Sequence, residues 1–298
     1  MSMMLKLLNP YLRMTERPAL ARMGSAIQAR ARLERNASRF FHDVPGIRYG
    51  SIDLSGDGAV TGQIARPVQS PARTAAMYIH GGGFYFGSSE THRRLGGAIA
   101  AASGLDVVLP DYRLVPEHRF PAALEDCQRA YLGLVARGYT RIALIGESAG
   151  GGLVFALLAK LVADGAPLPS ACVGLSPWVD LTISGDSHQR NAWAEATLPP
   201  ERMAEAAKRY AGDAALDDPF VSPVFARFAG APRCLIHVSS AEILEDDTHM
   251  LADRLRADGV DVTVRTWDRA PHAWHLYHGM LAEADEAIAD IGAFLTAD

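Results

Sequence analysis

The sequence predicts an α/β fold, with a mostly parallel central sheet flanked by helices and carrying a helical cap. From residue 75 onward, short continuous apolar runs rich in β-branched residues alternate with helical stretches. Strands apolar on both faces must be covered on both faces, which is the signature of a parallel sheet between helices. One segment, 183–216, breaks this alternation. It is polar, rich in alanine and charge, and helical in its spacing, so it reads as an insertion over the strand ends.

Residues 18–41 place apolar side chains near helical spacing, at Leu20, Met23, Ile27 and Ala31 and then Leu33, Ala37 and Phe40. Pro45-Gly46 ends that region. Runs at 47–54 and 60–66 flank Ser55-Gly56-Asp57-Gly58 and read as a hairpin, an antiparallel edge to the sheet. Strands follow at 75–79, 106–109, 141–145, 171–175, 234–238 and 260–267. Helices are expected at 91–103, 121–137, 149–164, 247–258 and 279–296. The expected organisation is one catalytic domain in two stretches, 46–182 and 217–298, with a cap built from residues 1–45 and the insertion 183–216.

At 298 residues the chain suits one large domain with an accessory element. Hydrophobic residues make up 49% and charged residues 21%, a composition that folds rather than staying disordered. Net charge is −5, with acids and bases interspersed, so the basic face that nucleic acid requires is missing. Cys127, Cys172 and Cys234 share no CxxC spacing and read as buried free thiols, which fits a reducing cytoplasm. The apolar start of the chain is broken by Lys6 and Asn9-Pro10, with no small-residue cleavage site after it. No run reaches the roughly 18 apolar residues of a span. A cytoplasmic protein without a membrane partner is expected.

Gly146-Glu147-Ser148-Ala149-Gly150 fits G-x-S-x-G, with a strand before it and a helix after it, the context a nucleophile elbow demands. The serine must sit in a strained turn so that its hydroxyl projects above the sheet. The flanking glycines are needed where neighbouring backbone leaves no room for a Cβ. Upstream, His80-Gly81-Gly82-Gly83 directly follows another strand. Three glycines let backbone N–H groups face a ligand, and the lack of a following Lys-Ser or Lys-Thr argues against a phosphate loop. With the elbow present, these amides and that of Ala149 suit an oxyanion hole.

A base and an acid should follow the serine in the order Ser, acid, His. His188, His237, His249, His272, His275 and His278 all follow Ser148. His237 lies inside an apolar strand and reads as core. His188 belongs to the insertion, His249 to a helix, and His275 and His278 to a helical stretch. His272, after Pro271 in the loop between the last strand and last helix, is the expected base. The acid should come from "CLIHVSSAEILEDD", which offers Glu242, Glu245, Asp246 and Asp247. Glu242 comes first after the strand and leads on position. Asp246 and Asp247 suit the first turn of the next helix, where acids are favoured anyway. Asp246 remains the fallback.

Together "HGGGF", "DYRLVPEHRFPAALED", "GESAGGGL", "SPWVDLT", "DPFVSP", "EILEDD" and "PHAWHLY" resemble the bacterial hormone-sensitive-lipase-like family of α/β-hydrolases, esterase family IV, from about residue 75 onward. The resemblance implies an α/β-hydrolase fold with an N-terminal cap and hydrolysis of short- to medium-chain acyl esters. It carries the oxyanion role to the amides of Gly82, Gly83 and Ala149, with His80 bracing the loop beside Gly81. Glu242 stands where the family commonly has aspartate. Glu147 stands in the elbow where relatives often carry Asp or Thr, which marks a subgroup.

The expected activity is a serine carboxylesterase using Ser148, His272 and Glu242, acting on a small ester without metal or cofactor. A lactonase or amidase would use the same triad, and a ligand-binding receptor on a dead scaffold would lack one of its members. An interfacial lipase would favour an exposed apolar lid, whereas the insertion is charged. A homodimer through an edge strand at 260–267 follows by family analogy.

Overall fold

A computed structural model describes residues 2–40 and 43–297, without the side chains of residues 29, 32 and 36–40. The expected apolar positions at Ala37 and Phe40, and residues 1, 41 and 42 of the expected cap, therefore lie outside the described residues. Among those described, eight strands form one sheet in the order β1-β2-β4-β3-β5-β6-β7-β8. They are β1 (Ile47–Asp53), β2 (Thr61–Pro67), β3 (Thr74–Ile79), β4 (Asp106–Pro110), β5 (Arg141–Glu147), β6 (Ala171–Leu175), β7 (Cys234–Ser239) and β8 (Val262–Trp267). β2 runs antiparallel to both β1 and β4, and the other pairings are parallel.

The inner strands β4, β6 and β7 are buried along their whole length, as their unbroken apolar runs require. Helices α4 (Ala122–Ala136), α5 (Ala149–Asp164) and α8 (Glu245–Ala257) cover one face. Helices α3 (Ser89–Ser103) and α9 (Ala282–Thr296) cover the other. Two short helices, α6 (Ser187–Arg190) and α7 (Pro200–Ala211), lie in the interrupting segment. No helix among the described residues is long and apolar enough to cross a membrane.

The N-terminal region differs from its sequence expectation. Helix α1 (Met3–Ala21) begins well before residue 18 and contains both Pro10 and Pro18. A break at 22–25 then leads into α2 (Ala26–Phe40). A proline inside a helix removes one backbone hydrogen bond. Tertiary burial offsets that loss. Leu5 packs with Trp274, Leu281 and Ala284, and Leu12 is buried as well. Ser2 caps the helix by accepting from the Leu5 amide, and it is itself held by Glu283 of α9.

The order β3-β5-β6-β7-β8 makes five parallel strands successive neighbours, so the loops leaving their carboxyl ends lie side by side. Open α/β sheets place their ligands at that end.

Candidate active site

The loop after β5 is a turn one residue wide. Ser148 takes φ 55°, ψ −124°, a left-handed conformation that costs a non-glycine residue roughly 1–3 kcal/mol. Its neighbours hold it there. The Ser148 amide donates to Leu175 O at 2.9 Å, and its carbonyl accepts from Gly152 and Trp178, each at 3.0 Å. A Cβ at Gly146 would lie 2.4 Å from Gly150 O, and one at Gly150 would lie 2.1 Å from Ile79 O. Both glycines are thus required by close packing of backbone. Helix α5 starts at the next residue, directing the positive end of its dipole at the serine.

The loop after β3 supplies the glycines. Gly82 and Gly83 have φ 104° and 60°, and a Cβ on Gly82 would meet Phe86 O at 2.1 Å. The Gly81 amide donates to Glu147 Oε1 at 2.5 Å, and His92 Nε2 stands 3.1 Å from the same oxygen. Glu147 therefore ties the elbow to the glycine loop, with an imidazole beside its charge. Burial opposes that charge, but the His92 contacts and the Gly81 amide outweigh it and keep its pKa below the ordinary carboxylate value. His80 stacks on Tyr112 at 4.3 Å and on His92 at 5.4 Å. Its Nδ1–H donates to Gly81 O at 2.8 Å, and the carbonyl of His80 accepts from the Tyr112 hydroxyl at 2.7 Å. Burial, reinforced by the nearby His92, lowers the His80 pKa to about 3, so it remains a neutral prop.

The loops after β7 and β8 bring Glu242 and His272 together. His272 Nδ1–H donates to Glu242 Oε2 at 2.6 Å. The other carboxylate oxygen, Oε1, accepts from Ser176 Oγ at 2.7 Å and from the Ser239 amide at 2.9 Å. Both side chains are almost wholly buried. Burial alone would push His272 down. The hydrogen bond and charge of Glu242 overcome it, with help from Glu195 and Glu147, and hold the imidazole above its ordinary pKa.

The other acids of that loop face elsewhere. Asp246 accepts from the Ser187 amide at 2.8 Å and from Arg190 at 2.7 Å. Asp247 accepts from the amides of Val179 and Asp180, and Glu245 bonds Arg190 and Asn191. Of the remaining histidines, His237 is fully buried between His275 and Asp290, and His188 faces Asp247.

Three contributors carried no assigned role in the sequence. Ser176 sits in "SPWVDLT" with nothing to show that its hydroxyl meets Glu242. His92 is one helical residue among many. Glu195 is a buried carboxylate whose Oε2 accepts from the Ile243 amide at 3.2 Å and whose Oε1 accepts from the amides of Thr197 and Leu198. No motif marks it.

Ser148, His272, Gly82 and Gly83 line one cavity of about 620 Å³, walled by Leu12 and Leu20 of α1, Ile27 and Leu33 of α2, and Leu198 and Met203 beside and within α7.

A sequence profile for the alpha/beta hydrolase fold matches residues 76–276. The chain belongs to the α/β-hydrolase family. It is 39% identical over 240 residues to an acetyl-hydrolase of Streptomyces hygroscopicus, covering 80% of each chain. With an esterase of Acinetobacter venetianus it shares 32% identity over 261 residues, 87% of this chain and 85% of that one. Among solved structures, an esterase of the bacterial hormone-sensitive lipase family superposes with a TM-score of 0.92 at 36% identity, covering 99% and 98% of the two chains. EstE5, in crystals soaked with p-nitrophenyl butyrate, superposes with a TM-score of 0.92 at 35% identity over the same shares. This α/β-hydrolase is thus a hormone-sensitive-lipase-like, family IV carboxylic ester hydrolase.

Proposed function

We propose that this hydrolase cleaves short- to medium-chain acyl esters through a Ser148–His272–Glu242 triad and an acyl-enzyme. The observation that carries this reading is the 2.6 Å bond from His272 Nδ1 to Glu242 Oε2, with His272 and Ser148 opening into one cavity. That bond leaves Nε2 as the base. Nε2 takes the Ser148 proton as Oγ attacks the ester carbonyl, and Glu242 stabilises the imidazolium that forms. Nε2 then protonates the leaving alcohol. Water repeats the attack on the acyl-serine and releases the acid.

The amides of Gly82, Gly83 and Ala149 are the donors to the tetrahedral oxyanion, and removal of one such donor costs about 2.7–4 kcal/mol. His80, Gly81 and Glu147 fix the loop that carries two of them. The cap is residues 1–45 with 183–216, since both stretches wall the cavity. Relatives described as an acetyl-hydrolase and as an esterase soaked with a butyrate ester support short acyl groups. The outer edge of β8, at the end of the sheet, is where a second copy adds its own strand.

Turnover of p-nitrophenyl esters of rising acyl length, with a lactone and an anilide alongside, tests this reading. Butyrate-range esters should be preferred, and Ser148→Ala should lose roughly 10⁴–10⁶-fold in kcat. Undiminished turnover by Ser148→Ala would refute the mechanism.

A further inference from the structure

Helix α1 is apolar on two sides. Leu5 and Leu12 face inward and are buried. Met3, Leu7, Tyr11 and Met14 fall within about 80° of one another on a helix of 3.6 residues per turn. They are 81%, 65%, 60% and 79% exposed. Beside this stripe stands Trp193, also 81% exposed, with the Arg13 guanidinium 5.0 Å from its ring. Arg13 and Arg17 donate to the carbonyls of Ala192, Ala194 and Glu195, so the loop carrying Trp193 is fastened to the helix.

Charge and position decide what covers this face. Lys6, Arg13 and Arg17 lie along one flank of the stripe by helical spacing, while Glu16, the remaining charged residue of α1, lines the cavity. The flank thus carries three cations with one bordering acid, Glu283 at Ser2, on a chain of net charge −5. Tyr11 and Ile27 are exposed and also line the cavity of Ser148. Apolar surface therefore runs from the outside of α1 to the reactive serine. A helix with an apolar stripe, a basic flank and a neighbouring Trp has the make-up of an interfacial helix. A second copy meeting this patch about a two-fold axis would oppose the same basic flank to itself.

We propose that the exposed face of α1, with Trp193, docks on the surface of an anionic lipid bilayer. The docked helix lies in the headgroup region and sets the cavity mouth against the bilayer. The docking stands on α1 itself, whereas delivery of a lipid-dissolved ester to Ser148 rests on the catalytic reading above.

Flotation with phosphatidylcholine vesicles, with and without one third phosphatidylglycerol, tests the docking. The full chain should float with the anionic vesicles and bind them more tightly than the neutral ones. The double variant Leu7→Glu, Met14→Glu should bind about tenfold more weakly or worse while hydrolysing dissolved p-nitrophenyl butyrate at the wild-type rate. Neither side chain lines the cavity. Trp193→Ala provides a second, milder loss of binding. The proposal is overturned if the wild type stays with the protein-only fraction, or if the double variant floats as well as the wild type. It is also overturned if the double variant abolishes a dimer of the free protein, because a second copy then covers the face. Vesicle binding without any ester turnover would support the docking and refute only the catalytic reading.

Discussion

His272 is bonded by one carboxylate and feels the charge of two more. Glu242 bonds its Nδ1 directly, and Glu195 and Glu147 add their charge through the low-dielectric interior. In the proposed mechanism the free base is the active form, so activity should fall as pH drops through a His272 pKa that lies above the ordinary histidine value of about 6.5. Replacing Glu242 by Gln removes the negative charge that the Nδ1 proton faces. The acidic limb of kcat/KM should then move to lower pH, and the plateau should fall by about 10³–10⁴. Asp246→Asn should leave the limb in place, because its carboxylate is engaged by Ser187 and Arg190. A limb that moves with Asp246 and not with Glu242 would transfer the acid role. At this scale the placement of Ser148 and His272 at one cavity is legible, because chain order and flanking turns leave few alternatives. Ser176 and Glu195 are not, since their contributions depend on where a side chain points across 66 and 48 residues of sequence.

The sequence pattern matches the helices of the sheet layers nearly to their ends, because α3, α4, α5 and α8 are long and stop at or just before a glycine. Helix α1 does not match. Its two prolines and its double apolar face defeat a reading that looks for one stripe and no breakers. The exposed apolar side chains cluster on α1 and at Trp193, not on the charged insertion as a whole. Arg17 joins the two regions. Its guanidinium donates to the carbonyls of Ala192 and Glu195 at 2.9 and 2.8 Å, and bonds from a charged donor contribute about 1.5–3 kcal/mol where they are sheltered. Because Arg17 is part-exposed, Arg17→Ala should cost about 1 kcal/mol in urea unfolding. It should also raise KM more than it lowers kcat, since the loop it fastens leads into the cavity wall at Thr197 and Leu198. Equal stability and unchanged KM would show that this contact holds nothing.

For the molecule as a whole, the alternation of strands and helices made the class of fold legible, and the hairpin correctly marked one antiparallel edge. The order in space was less accessible. β4 lies between β2 and β3, a crossover decided by packing over distances that local pattern does not record. The other edge, β8, is only partly buried along its length. Sedimentation across a range of concentrations should show a monomer–dimer equilibrium that survives Leu7→Glu, Met14→Glu, as pairing through β8 requires. A concentration-independent monomer would remove the second copy from the picture.

The ties from Arg13 and Arg17 to residues 192–195, and from Glu195 on to the Ile243 amide next to Glu242, bear on how this enzyme can be recombined. A chimera that takes only its first 45 residues from a relative would leave the 192–195 carbonyls facing a helix that did not evolve with them. The disturbance would reach the acid loop one residue from Glu242. The exchangeable part is therefore discontinuous in sequence. Substrate range should transfer between relatives when both stretches travel together, and catalytic rate should suffer when either travels alone.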